Sequence, residues 1–299
     1  MQSHGRHEEP EGADVSMGWS SRKYRSGDVR FAPAPWPGLA PVTEAAGPVG
    51  RKRKPKTVLV IAHRGASGHA PENTLAAFKR ALALGATFIE TDLQLSRDSH
   101  FVAIHDDTVN RTTNGQGKVH DLSLGELRRL DAGSWFGSEF TGERIPTLDE
   151  ILEFSKKHDV VFYLELKPAG SWGGEHSLIA ALRNSGEIAR TIVISFDAGI
   201  LEALRKIEPT LMTGLLFDGQ IDSPLQRAVD IGARQLAIRG DLVTPALLAE
   251  ARKRDLQVVC WTVNQPAHMR LLIEAGVDGI MSDYPDRLVA ARPKEKNTP

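Results

Sequence analysis

From Val58 onward, short apolar runs alternate with amphipathic stretches eight times in succession, and that rhythm leaves few architectures open. The runs fall at 58–63, 87–93, 160–166, 191–196, 211–217, 235–239, 257–263 and 279–282. Helical patterns follow them near 73–84, 147–158, 175–185, 198–207, 223–232, 244–254, 266–275 and 286–291. Val58-Leu59-Val60-Ile61-Ala62 has no polar position at all. Such a run suits a strand covered on both faces, the condition of a parallel sheet. Stop and start signals agree: Gly85 closes the first helical stretch, and Thr244-Pro245 supplies an N-cap followed by proline at the first helical position. Eight strand–helix units in about 240 residues predict a closed (β/α)8 TIM barrel. An open doubly wound sheet would more often use five or six strands and a GxGxxG phosphate loop, and Gly65-Ala66-Ser67-Gly68 lacks that spacing.

The rhythm breaks once, after the second strand. Phe101-Val102-Ala103-Ile104 reads as an extra strand beside it. Residues 105–146 then form an insertion with a turn-rich piece at 112–117 and a short helix opened by Ser123, which has capping-box spacing to Glu126. Thr147 and Glu150 repeat that spacing. The predicted organisation is a tail over 1–56 and a barrel domain over 57–299. The tail lacks apolar periodicity and is rich in Pro and Ala around Phe31–Pro41, a composition that suits disorder. It carries 10 Lys+Arg against 6 Asp+Glu, and its Arg51-Lys52-Arg53-Lys54-Pro55-Lys56 run reads as a solvated basic linker.

A formal charge of -1 argues against bulk nucleic-acid binding. No apolar run approaches the roughly 18–20 residues of a membrane span. The first residues lack an apolar signal core, and the single cysteine, Cys260, suits a reducing compartment. The cytoplasm is the expected location.

The chemistry concentrates where strands end. His63 and Arg64 close the first run, at the end that faces ligand in parallel folds. In Phe88-Ile89-Glu90-Thr91-Asp92 the two acids alternate onto one face, and in Leu164-Glu165-Leu166-Lys167 the charged pair shares the face opposite the leucines. Glu90, Asp92 and Glu165 thus converge on one mouth. Three carboxylates without thiolates suit a hard divalent cation, Mg2+ or Ca2+. The bland alternative is a salt-bridge layer among Glu165, Lys167 and Arg64. His63 and His105, both ending apolar runs beside the acids, suit a general acid/base pair. Arg64 can grip a phosphate with two N–H groups, and Lys167 adds a point charge. No GxSxG elbow occurs, and Cys260 has the parity of an outward, helix-packed residue.

As an ordered set, Ala62-His63-Arg64-Gly65-Ala66, Pro71-Glu72-Asn73-Thr74, Glu90-Thr91-Asp92, His105-Asp106, Leu164-Glu165-Leu166-Lys167, Trp261-Thr262-Val263-Asn264 and the closing Asp278–Pro285 stretch resemble the glycerophosphodiester phosphodiesterase family. The likeness spans about residues 57–290. It implies a (β/α)8 barrel with an insertion after the second strand. It also implies hydrolysis of small-molecule glycerophosphodiesters to sn-glycerol 3-phosphate and an alcohol. By resemblance the metal falls on Glu90, Asp92 and Glu165, acid/base work on His63 and His105, and phosphate contacts on Arg64 and Lys167.

Other residues keep two readings. Glu72 either orients Arg64 or the glycerol, or caps the helix expected to start at Asn73. Trp261 either walls the substrate site or fills the barrel. Asp283 stands near the mouth, and Asp106 and Asp107 shape the loop after His105. The attack on phosphorus has two routes, the substrate's own neighbouring hydroxyl, through a cyclic 1,2-phosphate, or water. A lysophospholipase D or sphingomyelinase D-like enzyme shares such a barrel, with Trp135-Phe136 as a possible lipid contact. A noncatalytic binding protein on a degenerate barrel is the remaining alternative.

Overall fold

The structure is a computed structural model that describes residues 58–167, 173–219 and 222–293. The expectation of a tail over 1–56 lies outside them. Its strands are β1 (Leu59–Ala62), β2 (Phe88–Leu95), β3 (Phe101–Ala103), β4 (Val161–Leu166), β5 (Thr191–Ser195), β6 (Met212–Phe217), β7 (Gln235–Arg239), β8 (Gln257–Trp261) and β9 (Gly279–Ser282). The helices are α1 (Leu75–Ala83), α2 (Leu124–Leu127), α3 (Leu148–His158), α4 (Glu175–Ser185), α5 (Ala198–Ile207), α6 (Pro224–Asp230), α7 (Pro245–Lys253), α8 (Pro266–Ala275) and α9 (Pro285–Ala291). Eight parallel strands run in the order β1-β2-β4-β5-β6-β7-β8-β9, and β1 pairs with both β2 and β9, which closes the ring. This is the expected TIM barrel.

Alternation along each strand sorts the core. Outward residues such as Val60, Ile89, Leu164, Val193, Leu236 and Cys260 are buried against Phe78, Ile151, Leu178, Leu201, Leu248 and Met269 of the surrounding helices. Each such aliphatic or aromatic side chain contributes about 1.5–3 kcal/mol on leaving water. Cys260 is therefore packing material: burial, helped by the Asp278 charge, pushes its thiol up to about 12.

The expected caps are present. Ser123 with Glu126 and Thr147 with Glu150 form complete capping boxes, and Thr244 accepts from the Leu247 N–H ahead of Pro245. Of the two readings of Glu72, the contact to Arg64 is the one present. Glu72 does not cap the first helix; Thr74 does, by accepting from the Ala77 N–H. Asn73 lies outside that helix with a left-handed φ of 56°, because its side chain is needed elsewhere.

The insertion is a folded piece in its own right. β3 runs antiparallel to the end of β2, with Leu93 opposite Ala103. Val102, Ile104, Val109, Val119, Leu127, Ala132 and Ile145 form a second small core beneath it. Asp131 fastens its outer loop by accepting from the backbone N–H groups of Gly133, Ser134 and Gly142, each at 2.8 Å.

Candidate active site

β1 ends at Ala62 and the chain turns sharply, with Arg64 at φ 54° and Gly65 at φ 79°. A Cβ on Gly65 would stand 2.7 Å from the Ala77 Cβ of α1, so only glycine lets the turn lie against that helix. A left-handed arginine costs about 1–2 kcal/mol. Here the turn aims the Arg64 backbone N–H at Glu90 Oε2, 2.8 Å away, and brings its guanidinium to Glu72 Oε1 at 2.8 Å and Asp92 Oδ2 at 3.2 Å.

Register places the acids. Asp92 of β2 sits directly beside Glu165 of β4, with Glu90 two residues earlier on the same face. One carboxylate oxygen from each of the three lies within 4.8 Å of the others, and all three residues are buried. Lys167 pairs with Glu165 at 2.5 Å and with Asp92 at 3.1 Å. Asn73 donates to Asp92 Oδ2 at 2.8 Å and accepts from Thr91, which explains its departure from the helix. Burial and then the Asp92 charge push Glu90 up to about 8. Burial also raises Glu165, with Asp92 adding to it against Lys167. Asp92 goes the other way: burial opposes its charge, but Lys167 and Arg64 hold it below the usual carboxylate range.

Each histidine is held through Nδ1 by a carboxylate. His63 meets Asp283 Oδ1 at 2.7 Å, and His105 meets Asp106 Oδ1 at 2.7 Å. Asp283 is itself fixed by Ser67 and by Asn264, which donates at 2.6 Å. Burial opposes the Asp283 charge, yet the hydrogen bond from His63 brings it down to about 2. An ionised carboxylate only accepts, so Nδ1 carries the proton and Nε2 is left for chemistry. His63 Nε2 lies 3.9 Å from Glu90 Oε2. The rings are tuned apart. Burial lowers His63, but Asp283 and Glu90 outweigh it and the net direction is up. Burial, aided by the Arg64 charge, leaves His105 lowered despite Asp92.

All of the sequence-predicted acids, histidines and cations therefore meet at one mouth. Asp283 and Asp106 do more than the sequence suggested, since each orients a histidine, while the Asp107 carbonyl accepts from Val119 within the loop. Arg111 and Gln94 were not anticipated, and Asn73 and Asn264 stood in the motifs without a role of their own. The Gln94 side-chain amide donates to the carbonyls of Ile104, His105 and Asp106, at 3.2, 2.9 and 2.7 Å, pinning the backbone that carries His105. Its parity with Glu90 and Asp92 was the available signal. Trp261 stands half-buried at the rim, its indole donating to the Ala237 carbonyl at 2.8 Å and its ring edge-on to Phe196 at 5.6 Å.

The donor set fits a divalent cation. Glu90 Oε2 is held, whereas Glu90 Oε1 is buried without a hydrogen-bond partner. Around the mouth, Glu72, Glu90, Asp92, Asp106, Glu165 and Asp283 outnumber the fixed cations Arg64, Arg111 and Lys167. The crowding of these acids holds Glu90 and Glu165 toward the protonated form, and a divalent cation among the three would favour all of them ionised.

Comparison with known proteins gives the family. Residues 63–287 match the glycerophosphoryl diester phosphodiesterase family. A glycerophosphodiester phosphodiesterase of Caldanaerobacter subterraneus subsp. tengcongensis is 43% identical over 233 residues, covering 77% of this chain and 96% of the relative. A Bacillus subtilis glycerophosphodiester phosphodiesterase is 33% identical over 267 residues, covering 83% and 90%. Among solved structures, a phosphodiesterase from Oleispira antarctica in complex with the product sn-glycerol-3-phosphate superposes with a TM-score of 0.72 at 32% identity, covering 79% of this chain and 96% of that one. The chain belongs to the glycerophosphoryl diester phosphodiesterase family and is by class a phosphoric diester hydrolase.

Proposed function

We propose that the protein hydrolyses glycerophosphodiesters to sn-glycerol 3-phosphate and an alcohol, with Mg2+ or Ca2+ held by Glu90, Asp92 and Glu165. The observation that carries this reading is the pair of carboxylate-held histidines beside the buried acid cluster. The bound cation would neutralise charge gathering on the phosphoryl oxygens. Arg64 and Lys167 bind the phosphate and add to that stabilisation. One histidine takes a proton from the nucleophile, and the other gives a proton to the departing alcohol oxygen. The favoured nucleophile is the glycerol hydroxyl next to the ester oxygen, which needs no second substrate and gains effective molarity when held in place. It forms a cyclic 1,2-phosphate that water opens with the histidine roles reversed. A substrate analogue lacking that hydroxyl tests the route: it should resist cleavage, and turnover near that of the natural diester would assign the attack to water.

Metal dependence has its own test. Chelation should abolish turnover of glycerophosphocholine and added Mg2+ or Ca2+ should restore it, while Glu90→Gln should lower metal affinity and turnover together. Full activity after exhaustive chelation would refute the cation's role. A second reading, lysophospholipase D, is favoured by one feature. Trp135 and Phe136, about two-fifths exposed on the insertion, stack edge-on with each other and Phe136 does so with Phe140. Faster turnover of lysophosphatidylcholine than of glycerophosphocholine would select it. No helix among the described residues is long and apolar enough to cross a membrane, and the proposed location is the cytoplasm.

A further inference from the structure

Arg111 lies in the insertion, six residues beyond His105, and it has no place in the roles given above. Its Nε donates to Asp106 Oδ2 at 2.7 Å and its Nη2 to Asp106 Oδ1 at 2.9 Å. The same guanidinium reaches Glu72 on the loop before α1, with Nη2 to Oε1 and Nη1 to Oε2, both at 2.8 Å. Four of the five N–H groups of the guanidinium are thereby used, so Arg111 is poorly placed to grip substrate phosphate as Arg64 can. Each carboxylate it bridges holds something else. Glu72 Oε1 also accepts from Arg64, and Asp106 also accepts from His105 Nδ1.

We propose that Arg111 is a positioning residue that fixes the acid/base histidine relative to the phosphate-binding arginine, through the chain Arg64–Glu72–Arg111–Asp106–His105. The inference rests on reading this mouth as a phosphodiesterase site. The two ends of that chain come from different pieces of the fold, the loop after β1 and the insertion, and the planar guanidinium spans the join. A lysine would supply the charge as a point, unable to satisfy two carboxylates bidentately. The insertion does not depend on this bridge for its own fold, since it has its own core and the Asp131 fastening. Without the bridge, Asp106 still holds the His105 ring but loses its anchor to Glu72. A displacement of about 1 Å between acid/base group and phosphate is enough to cost roughly 10²-fold in rate. Substrate affinity changes little, because Arg64 and Lys167 remain.

The test compares kcat and KM for glycerophosphocholine, with divalent metal supplied, in the wild type, Arg111→Ala, Arg111→Lys and Asp131→Ala. Arg111→Ala should lose about 10² in kcat with KM within about threefold. Arg111→Lys should keep the fold and still fall well short of wild type. Free guanidinium should restore turnover to Arg111→Ala, and Asp131→Ala, which loosens the same insertion elsewhere, should keep most of its kcat. Wild-type kcat in Arg111→Lys, a loss carried by KM, or an equal kcat loss in Asp131→Ala would overturn the proposal. Wild-type protein that leaves diesters intact would overturn the functional reading itself, and the inference with it.

Discussion

The two halves of the barrel mouth are built on opposite principles. The half formed by β1, β2, β4 and β9 carries His63, Arg64, Glu90, Asp92, Glu165, Lys167 and Asp283, nearly all tied to one another at hydrogen-bonding distance. The half formed by β5 to β8 carries Phe196 and Trp261, which lean on each other across the ends of β6 and β7. The first half holds buried charge that is costly unless paired. The second holds aromatic surface that is stable wherever it packs. The buried charge cluster thus sits on one side, and the aromatic pair on the other. Substitutions should report this difference as rate on one side and affinity on the other.

The largest effects belong to the charged half. His63→Ala and His105→Ala should each cost roughly 10²–10⁴ in kcat, the scale of general acid–base groups, with KM moving much less. Steady-state kinetics on glycerophosphocholine checks this, and near-wild-type turnover in either variant would make that histidine structural. Asp283→Asn comes next, because it frees the His63 ring to rotate or change tautomer; a kcat loss of roughly 10²-fold is expected, smaller than removing the ring.

That substitution also has a signature in stability. The folded value of Asp283, about 2, lies below the unfolded reference of 3.8. A depressed carboxylate contributes stability above its unfolded value and loses it as pH falls toward the folded one. The wild type should therefore lose about 2 kcal/mol from this group between about pH 4 and pH 2. Asp283→Asn should lack that loss and start lower at neutral pH. Urea midpoints across that window decide the matter, and parallel curves would mean that the carboxylate is not held as described.

The aromatic half should respond weakly and in the other parameter. Trp261→Ala should raise KM a few-fold, the worth of roughly 1 kcal/mol of apolar contact, and leave kcat nearly intact. A loss confined to kcat would mean that the indole acts on the charged half after all. Removing residues 1–50 should have the smallest effect, with melting temperature and turnover unchanged. Aggregation or lost activity would show that the segment packs on the barrel.

What the sequence revealed follows from the range of the interactions involved. β1 and β4 were legible because parallel strands are apolar on both faces, and Glu90, Asp92 and Glu165 were legible because strand parity is local. The caps at Ser123, Thr147 and Thr244 were legible for the same reason. The role of Asp283 was not, since its partner His63 is 220 residues away. Arg111 shared that fate: its two carboxylates come from separate loops, and an arginine among turn residues has no local pattern. Glu72 kept two readings because its position before a helix also suggested a cap; Thr74, two residues later, takes the cap and leaves Glu72 to the arginines.

The pairing of β1 with β9 has a consequence for the making of the protein. His63 leaves the ribosome 220 residues ahead of its carboxylate partner Asp283, and the two meet only across the seam that closes the ring. A nascent chain can collapse strand by strand as it emerges, yet it carries an imidazole without its anchor until β9 and the residues just after it have emerged. Prematurely terminated products that lack β9 should thus be poor catalysts however well their earlier strands pair. On this reading, the strand that closes the ring also completes the anchoring of His63.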